Sequence, residues 1–379
     1  MDFTLSSEQS AYRDKVRSFA RKHVAPLAAR WDEEETFPRE ILPLLGDAGL
    51  LGVTVPRAWG GQGLDLFHLV LAIEEIARYD GSLALALAAH HSIVCGHLLL
   101  SGTEAQKDSW LPRLTGGAVG AWALAEGQAG SDASSIKTEA RSTEAGWSLW
   151  GSKMFVTQAP LADIFIVLAM TGGGARHNGI SAFLVEAGAA GLRIGKPLHK
   201  MGCRATETAP VGLHGVEVGS EALLGELNGG FRDAMRLLDA GRVVMGAMAV
   251  GLARGCLEEA TSFARKRRQF GRPIGQHQAI GWMLADMATE TDAARLLVHR
   301  AAAGIGQGRV KTREAAMAKL FAAETASRVA NKAVQVHGGY GYLRSSPVER
   351  YLRDVKLCEI GEGTSEVQRL VIGRDILKG

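Results

Sequence analysis

The sequence predicts an α+β chain of three successive units: an N-terminal α-helical domain over residues 1–118, a middle antiparallel β domain over 119–225, and a C-terminal four-helix bundle over 226–379. Three observations predict it. Apolar residues recur at 3–4 spacing through the first third, the period of an amphipathic helix. From residue 119 they gather instead in short or alternating runs punctuated by Gly, Asp and Ser, which reads as an antiparallel sandwich or barrel. After Gly229-Gly230 the helical pattern returns in runs longer than ordinary helices, as in an antiparallel bundle that also packs against another subunit.

Taken in order, Ser6 with Gln9 forms a capping-box signature. Tyr12, Val16, Phe19, Ala20, Val24 and Leu27 then carry one helix. Pro38 opens a second, which Gly46 or Gly49 ends. After the Pro/Gly loop at 55–64, helices are expected over 66–79 and 82–100, and Thr103 with Gln106 starts another that ends before Pro112. Strands are expected at 121–125, 138–142, 147–150, 155–157, 164–169, 180–186, 192–194 and 211–218. Helices follow at 231–268, 278–304, 311–336 and 365–377.

Composition excludes several functions. Hydrophobic content of 46% and charged content of 22% are ordinary for a globular protein, and a net charge of +3 gives no broad electrostatic drive toward nucleic acid or membrane. Cys95, Cys203, Cys256 and Cys358 lie far apart without a CxxC pair, so reduced, packed thiols in a cytoplasmic protein are expected. The opening MDFTLSSEQS has neither the basic nor the apolar region of a secretory signal. The apolar run at 83–100 is broken by His90, His91, Ser92 and His97 and reads as a buried helix rather than a membrane span. Adjacent on a helix, His90 and His91 diverge and make poor joint metal ligands. HExxH, GxSxG, a P-loop and a strand–GxGxxG–helix unit are absent, which argues against a Rossmann domain. Gly246, Gly251 and Gly255 read as helix packing.

Five stretches carry chemistry. In IGEGTS, 360–365, a carboxylate sits between two glycines and before a hydroxyl that caps the next helix; Glu362 is placed to take a proton, or is a solvated turn carboxylate. AEGQAGSD, 125–132, joins a strand to a loop whose Gly127 and Gly130 permit close backbone approach, or is a plain turn. In KMFVT, 153–157, Phe155 and Thr157 share a strand face, where they can flank a planar ring or pack as an ordinary strand. Residues 265–272 hold five basic residues in eight: a nucleic-acid patch, a solvated helix end, or a local pyrophosphate site. In QVHGGYG, 335–341, the glycines suit a helix C-cap or a phosphate-bearing ligand, and His337 reads as a packed or capping residue.

With KMGCR (200–204), LLDAGR (237–242), RRQFG (267–271) and YLRDVKLCEIGEGTSEVQRL (351–370), these stretches resemble the acyl-CoA dehydrogenase family in order, over about residues 1–378. The resemblance implies FAD between the β domain and the C-terminal helices, with part of each site supplied by a neighbouring subunit of a homotetramer. It implies that Trp122, Leu124, Ala125, Gly130 and Ser131 line the flavin, and that Phe155 and Thr157 flank it. It further implies that Arg267, Phe270 and Gln278, with Gln335, Gly338 and Gly339, reach the other subunit's FAD, and that Thr364 and Glu366 close on their own. Ser131, Asp239, Arg242 and Gly363 match positions that touch the CoA thioester. Glu362 matches the catalytic base, which removes the α-proton while the β-hydrogen leaves as hydride to the flavin. The Glu362 N–H and a flavin hydroxyl polarise the thioester carbonyl. The implied product is a trans-2-enoyl-CoA, and the implied acceptor is an electron-transfer flavoprotein. Some relatives carry the base just before the arginine matching Arg242; here that position is Gly241, which favours Glu362 and short-chain members.

The chain departs from the family pattern at Ala125, where threonine is usual, at Gly127, where proline is usual, and at Phe155, where tryptophan is commoner. One lost flavin hydrogen bond is worth roughly 0.5–1.5 kcal/mol, enough to tune binding rather than abolish it. An acyl-carrier-protein-linked dehydrogenase and an acyl-CoA oxidase remain alternatives on the same scaffold. A non-catalytic basic helical scaffold rests only on residues 265–272.

Overall fold

The protein, represented by a computed structural model, is described over residues 4–172, 176–306 and 312–378. The first part is helical: α1 (Ser7–His23), α2 (Ala28–Glu34), α3 (Ile41–Asp47), α4 (Leu66–Ala77), α5 (Gly81–Ala89), α6 (Gly96–Ser101) and α7 (Glu104–Thr115). Both capping boxes form, at Ser6–Gln9 and Thr103–Gln106. Three expectations change. The first helix stops at His23, and its apolar pattern continues into the separate α2. Pro112 lies inside α7, because its missing N–H removes only a donor while its carbonyl still accepts from Gly116 and Thr115. His90 and His91 do not diverge. A π-helical turn, His90–Cys95, widens the helix so that both Nε2 atoms reach consecutive carbonyls, Leu51 and Leu50, each at 2.8 Å. Their rings meet edge to face at 5.2 Å. Among the described residues, no group of three His, Cys, Asp or Glu side chains is arranged for a metal ion.

The middle part contains β1 (Gly120–Ala123), β2 (Glu139–Thr143), β3 (Gly146–Thr157), β4 (Ile164–Met170), β5 (Ile180–Glu186), β6 (Leu192–Ile194), β7 (Thr208–Gly219) and β8 (Leu223–Leu224). They pair in the order β6-β7-β3-β2-β4-β5-β8, with β1 beside β4. Pairing is antiparallel except at β1–β4 and at one residue pair, Glu139–Met170, of β2–β4. The continuous apolar run of β4 has a simple cause: Ile164, Ile166 and Leu168 enter one core, and Phe165, Val167 and Ala169 enter another on the opposite face. Two expected strands, 147–150 and 155–157, are one long β3 with register shifts after Leu149 and after Lys153.

The C-terminal part is α8 (Gly230–Lys266), a hairpin of β9 (Arg268–Gln269) and β10 (Arg272–Pro273), α9 (Gln278–Gly306), α10 (Thr312–His337), α11 (Pro347–Ile360) and α12 (Ser365–Leu377). Lys311, expected to begin the third long helix, lies outside the described residues. The glycines of α8 are packing positions: a Cβ on Gly251 would sit 2.5 Å from the Glu74 carbonyl oxygen, and one on Gly255 2.5 Å from that of Arg78. Helices α4 and α8 therefore touch backbone to backbone. The spans Gly81–Ser101 and Gly230–Lys266 are long and apolar enough to cross a membrane, but 67% and 83% of their most apolar windows are buried inside the fold.

All three parts meet at one polar junction, which explains the KMGCR stretch. Arg353 of α11 pairs with Asp32 of α2 at 2.7 Å, and Arg204 pairs with the same carboxylate at 3.2 Å. A side chain at Gly202 would collide with the α11 backbone at Arg353 and Asp354. The N–H of Cys203 donates to Asp354 Oδ1 at 2.6 Å, and Asp80 caps α5 beside it. Burial pushes the Asp354 carboxyl up to about 7; the Cys203 bond opposes the shift and the Asp80 charge adds to it. An exposed aspartate releases its proton near 3.9. The folded chain thus holds a proton that the unfolded chain has lost, so this group's contribution to stability declines as pH rises from about 4 to about 7. Asp354→Asn keeps an acceptor for Cys203 and is expected to flatten that part of the curve of Tm against pH. An unchanged slope would contradict it.

Candidate active site

The turn between α11 and α12 is built to project one carboxylate. Gly361 ends α11 by donating to the Leu357 carbonyl at 2.8 Å. Glu362 and Gly363 then both take left-handed backbone, with φ of 53° and 90°. Of the flanking glycines, Gly363 needs its freedom, whereas Gly361 at φ −66° does not. A left-handed non-glycine residue costs about 1–3 kcal/mol and persists where its surroundings over-determine it. Here Thr364 caps α12 through the Val367 N–H, Gln368 Nε2 donates to the Gly363 carbonyl at 2.9 Å, and Lys319 Nζ donates to the same oxygen at 2.7 Å.

The Glu362 side chain lies over Gly241 of α8, where any Cβ would collide with Oε2. That oxygen is fully enclosed and has no hydrogen-bond partner. Burial pushes the carboxyl up to about 7, against the opposing charges of Lys319 and Arg242. A carboxylate ionising near neutral pH and free of a direct partner is suited to take a proton from a bound molecule. On either side of Gly241 in α8, Arg242 donates to Asp239 Oδ1 at 2.7 Å, and Thr312 donates to Asp239 Oδ2 at 2.8 Å. Arg242 is buried, and its Nε also lacks a partner. The structure thus brings together Glu362, Gly363, Asp239 and Arg242, which the sequence placed more than 100 residues apart. Ser131 is exposed on the loop after β1.

That loop and β3 form a second group. Trp122 is half-buried, and its indole N–H donates to His97 Nδ1 at 3.1 Å. Leu124 is buried, and the Ala125 carbonyl accepts from the Met154 N–H at 2.8 Å. Gly127 and Gly130 face open space. Burial alternates across Phe155, Val156 and Thr157, but the strand is irregular just before them. The irregularity after Lys153 buries both Lys153 and Val156, and Phe155, at φ 56°, stands 63% exposed while Thr157 is half-buried. An exposed ring on strained backbone, beside an open glycine loop, fits a planar ligand.

The third group lines a cleft of about 670 Å³ between the end of α8 and the end of α10, and includes Arg267, Phe270, Gly338 and Gly339. The Arg267 guanidinium lies 5.2 Å over the Tyr340 ring. Phe270 is 93% exposed, and Gly338 and Gly339 face open space. Gln278 at the start of α9, Gln335 on the last turns of α10 and Glu366 on α12 are exposed. His337 is the packed residue expected, with Nδ1 donating to the Ala333 carbonyl at 2.8 Å and the ring stacked 4.4 Å from Phe263. A guanidinium, an unpacked aromatic and two open glycines in one cleft fit the diphosphate and ring of a dinucleotide.

Sequence reasoning missed Lys319 and the pair Glu126–Lys153. Lys319 was visible as a lysine on the alanine stripe Ala315, Ala318, Ala322, Ala323, Ala326, all buried. Nothing signalled the pair, whose members lie 27 residues apart. Lys153 Nζ reaches Glu126 at 2.8 Å and the Leu124 carbonyl at 3.0 Å, and Glu126 also accepts from the Lys137 and Thr138 N–H groups. Burial favours a neutral Glu126, but the Lys153 charge and these bonds outweigh it and hold the carboxyl down to about 2. The pair ties both ends of the glycine loop to β3. Removing one partner of a buried pair costs about 3–5 kcal/mol, because the other charge is stranded. Lys153→Met is therefore expected to lower Tm and the flavin-to-protein ratio together; full flavin retention would show that the pair does not hold the loop.

Sequence profiles of the acyl-CoA dehydrogenase N-terminal, middle and C-terminal domains match residues 6–118, 121–216 and 228–377. A probable acyl-CoA dehydrogenase of Bacillus subtilis strain 168 is 44% identical over 380 residues, covering 100% of both chains. The butyryl-CoA dehydrogenase of Megasphaera elsdenii superposes with a TM-score of 0.97 at 39% identity, covering 100% of both chains. A chain from a structural study of the electron transferring flavoprotein of Acidaminococcus fermentans superposes with a TM-score of 0.98 at 40% identity, again covering 100% of both. The chain belongs to the acyl-CoA dehydrogenase family, as an FAD-dependent enzyme of that family.

Proposed function

We propose that the protein removes an α-proton and a β-hydride from a short acyl-CoA thioester to give a trans-2-enoyl-CoA, with Glu362 as the base. One observation carries the reading: the Glu362 carboxyl is enclosed, without a partner, in a left-handed turn against Gly241. FAD, when bound, accepts the hydride. The residues that fit it are Trp122, Leu124, Ala125, Gly130, Ser131, Phe155 and Thr157 on one side and Thr364 and Glu366 on the other. The Glu362 carboxylate takes the α-proton. Its backbone N–H is the donor for the thioester carbonyl, where charge develops. Arg242 and Asp239, with Ser131 and Gly363, position the thioester. Likeness to a butyryl-CoA dehydrogenase supports short straight acyl chains, and likeness to a chain from an electron transferring flavoprotein study supports such a flavoprotein as the acceptor.

The reading includes a cytoplasmic homotetramer in which Arg267, Phe270, Gln278, Gln335, Gly338 and Gly339 meet a neighbouring subunit's FAD. Its support is the exposed Phe270 and the open cleft beside it.

Anaerobic mixing with a panel of acyl-CoAs is expected to bleach the flavin fastest with a short straight chain. No bleaching with any of them would overturn the reading. Glu362→Gln is expected to keep FAD and to lower turnover by at least ~10²-fold, the usual worth of a positioned base. In the unaltered enzyme, kcat/KM should rise with pH through about 7, as the enclosed carboxyl loses its proton. Arg267→Ala is expected to weaken both flavin retention and subunit association on dilution; unchanged flavin content would remove that residue from the FAD site.

A further inference from the structure

A lysine inside a protein is normally paired with a carboxylate. Lys319 is 0% exposed, yet among the described residues no carboxylate oxygen lies within ion-pairing distance of it. Its ammonium instead donates to one neutral acceptor, the Gly363 carbonyl, at 2.7 Å. That carbonyl belongs to the residue following Glu362, whose own carboxylate oxygen Oε2 is equally enclosed and unpartnered. Two buried groups of opposite charge therefore flank one turn without touching. The remaining charged and titratable groups facing them are Arg242 on α8, itself paired with Asp239, and Cys358 and Glu359 on α11. Glu359 is already engaged by Lys356 and Ser327.

This separation is useful chemically. A base in direct contact with a cation is a weaker base, and its lone pairs are occupied. A cation held one peptide away still favours the charged carboxylate and leaves both oxygens free for a proton. The same bond helps fix the Gly363 carbonyl, to which Gln368 Nε2 also donates at 2.9 Å, and so fixes the left-handed turn that aims Glu362. We propose that Lys319 is a positioning residue for the reaction: it locks the turn that presents Glu362 and supplies, at one remove, the counter-charge of the enclosed carboxylate. The proposal rests on the reading of Glu362 as the base only for its effect on rate. Its effect on the ionisation of Glu362 stands separately.

The experiment uses the FAD-loaded full chain carrying Lys319→Met, Lys319→Gln or Glu362→Gln. Infrared difference titration, with Glu362→Gln identifying the Glu362 band, gives the ionisation midpoint of that carboxyl without turnover. Removing an opposite charge at close range is expected to raise the midpoint by about one pH unit or more in Lys319→Met. The rise of kcat/KM should move by the same amount, so activity near pH 7 falls up to about tenfold and recovers at higher pH. Lys319→Gln keeps a donor for Gly363 but no charge. It should show the same midpoint shift with a smaller loss of Tm, and it serves if the methionine variant does not fold. A lower Tm with an unmoved midpoint and an unmoved pH profile would make Lys319 merely structural and overturn the proposal. Retained turnover in Glu362→Gln would remove Glu362 as the base, while the infrared midpoints would still decide the role of Lys319.

Discussion

The absence of a side chain at position 241 is the constraint on which the site depends. Any Cβ there would occupy the space of the Glu362 carboxyl oxygen. With glycine, the C-terminal turn can fold down onto α8 and enclose a carboxylate between two helices. Enclosure does the chemical work, since burial more than offsets Lys319 and Arg242 and sets the carboxyl to about 7. The close approach continues along the same helix, where Gly246 faces Val298 and Ala318 and Gly251 faces the α4 backbone. The small residues of α8 and α10 thus serve both fold and site. They let the helices pack tightly enough that a lysine on α10 reaches the turn.

Buried charge recurs wherever parts of the chain must keep a fixed relation. Glu74 of α4 gathers Arg254, Arg295 and His299 from α8 and α9, and is held down to about 2 by those partners despite burial. Asp32 joins Arg204 and Arg353 from the other two parts of the chain. Glu126 and Lys153 pin the glycine loop to β3. Such pairs add little net stability over apolar packing, but breaking one is costly, so each punishes a wrong arrangement. Paired charges therefore lie where geometry must be held. The unpartnered Glu362 oxygen and the unpaired Lys319 lie at the turn where a proton would move.

Local features were legible in the sequence, and features made by distant contact were not. Both capping boxes and a hydroxyl cap on the last helix depend on neighbours within a few residues and were read correctly, and the helical and strand runs were located although several were divided, joined or shifted at their ends. The role of Gly241 was legible only by comparison with relatives that carry a base there. The parallel pairing of β1 with β4 was hidden because Gly120–Ala123 meets Ile164–Val167 across some 40 residues of sequence. The irregularity at Phe155 was hidden because its cause is a shift in register with β7. His90 and His91 were misjudged because a π-helical turn changes the angular step on which their divergence was calculated. Lys319 had a visible signal in its alanine stripe, but its partner is a carbonyl, and carbonyls carry no sequence signature.

The most direct test of the central claim follows the α-proton alone. An acyl-CoA that has α-hydrogens but no β-hydrogen to lose would be incubated with the FAD-loaded enzyme in deuterated water, and label at the α-carbon followed by mass spectrometry. An enclosed Glu362 base predicts enzyme-dependent exchange that rises with pH through about 7 and is lost when Glu362 is glutamine. Exchange that proceeds equally in that variant would contradict the account, because the proton would then leave by another group.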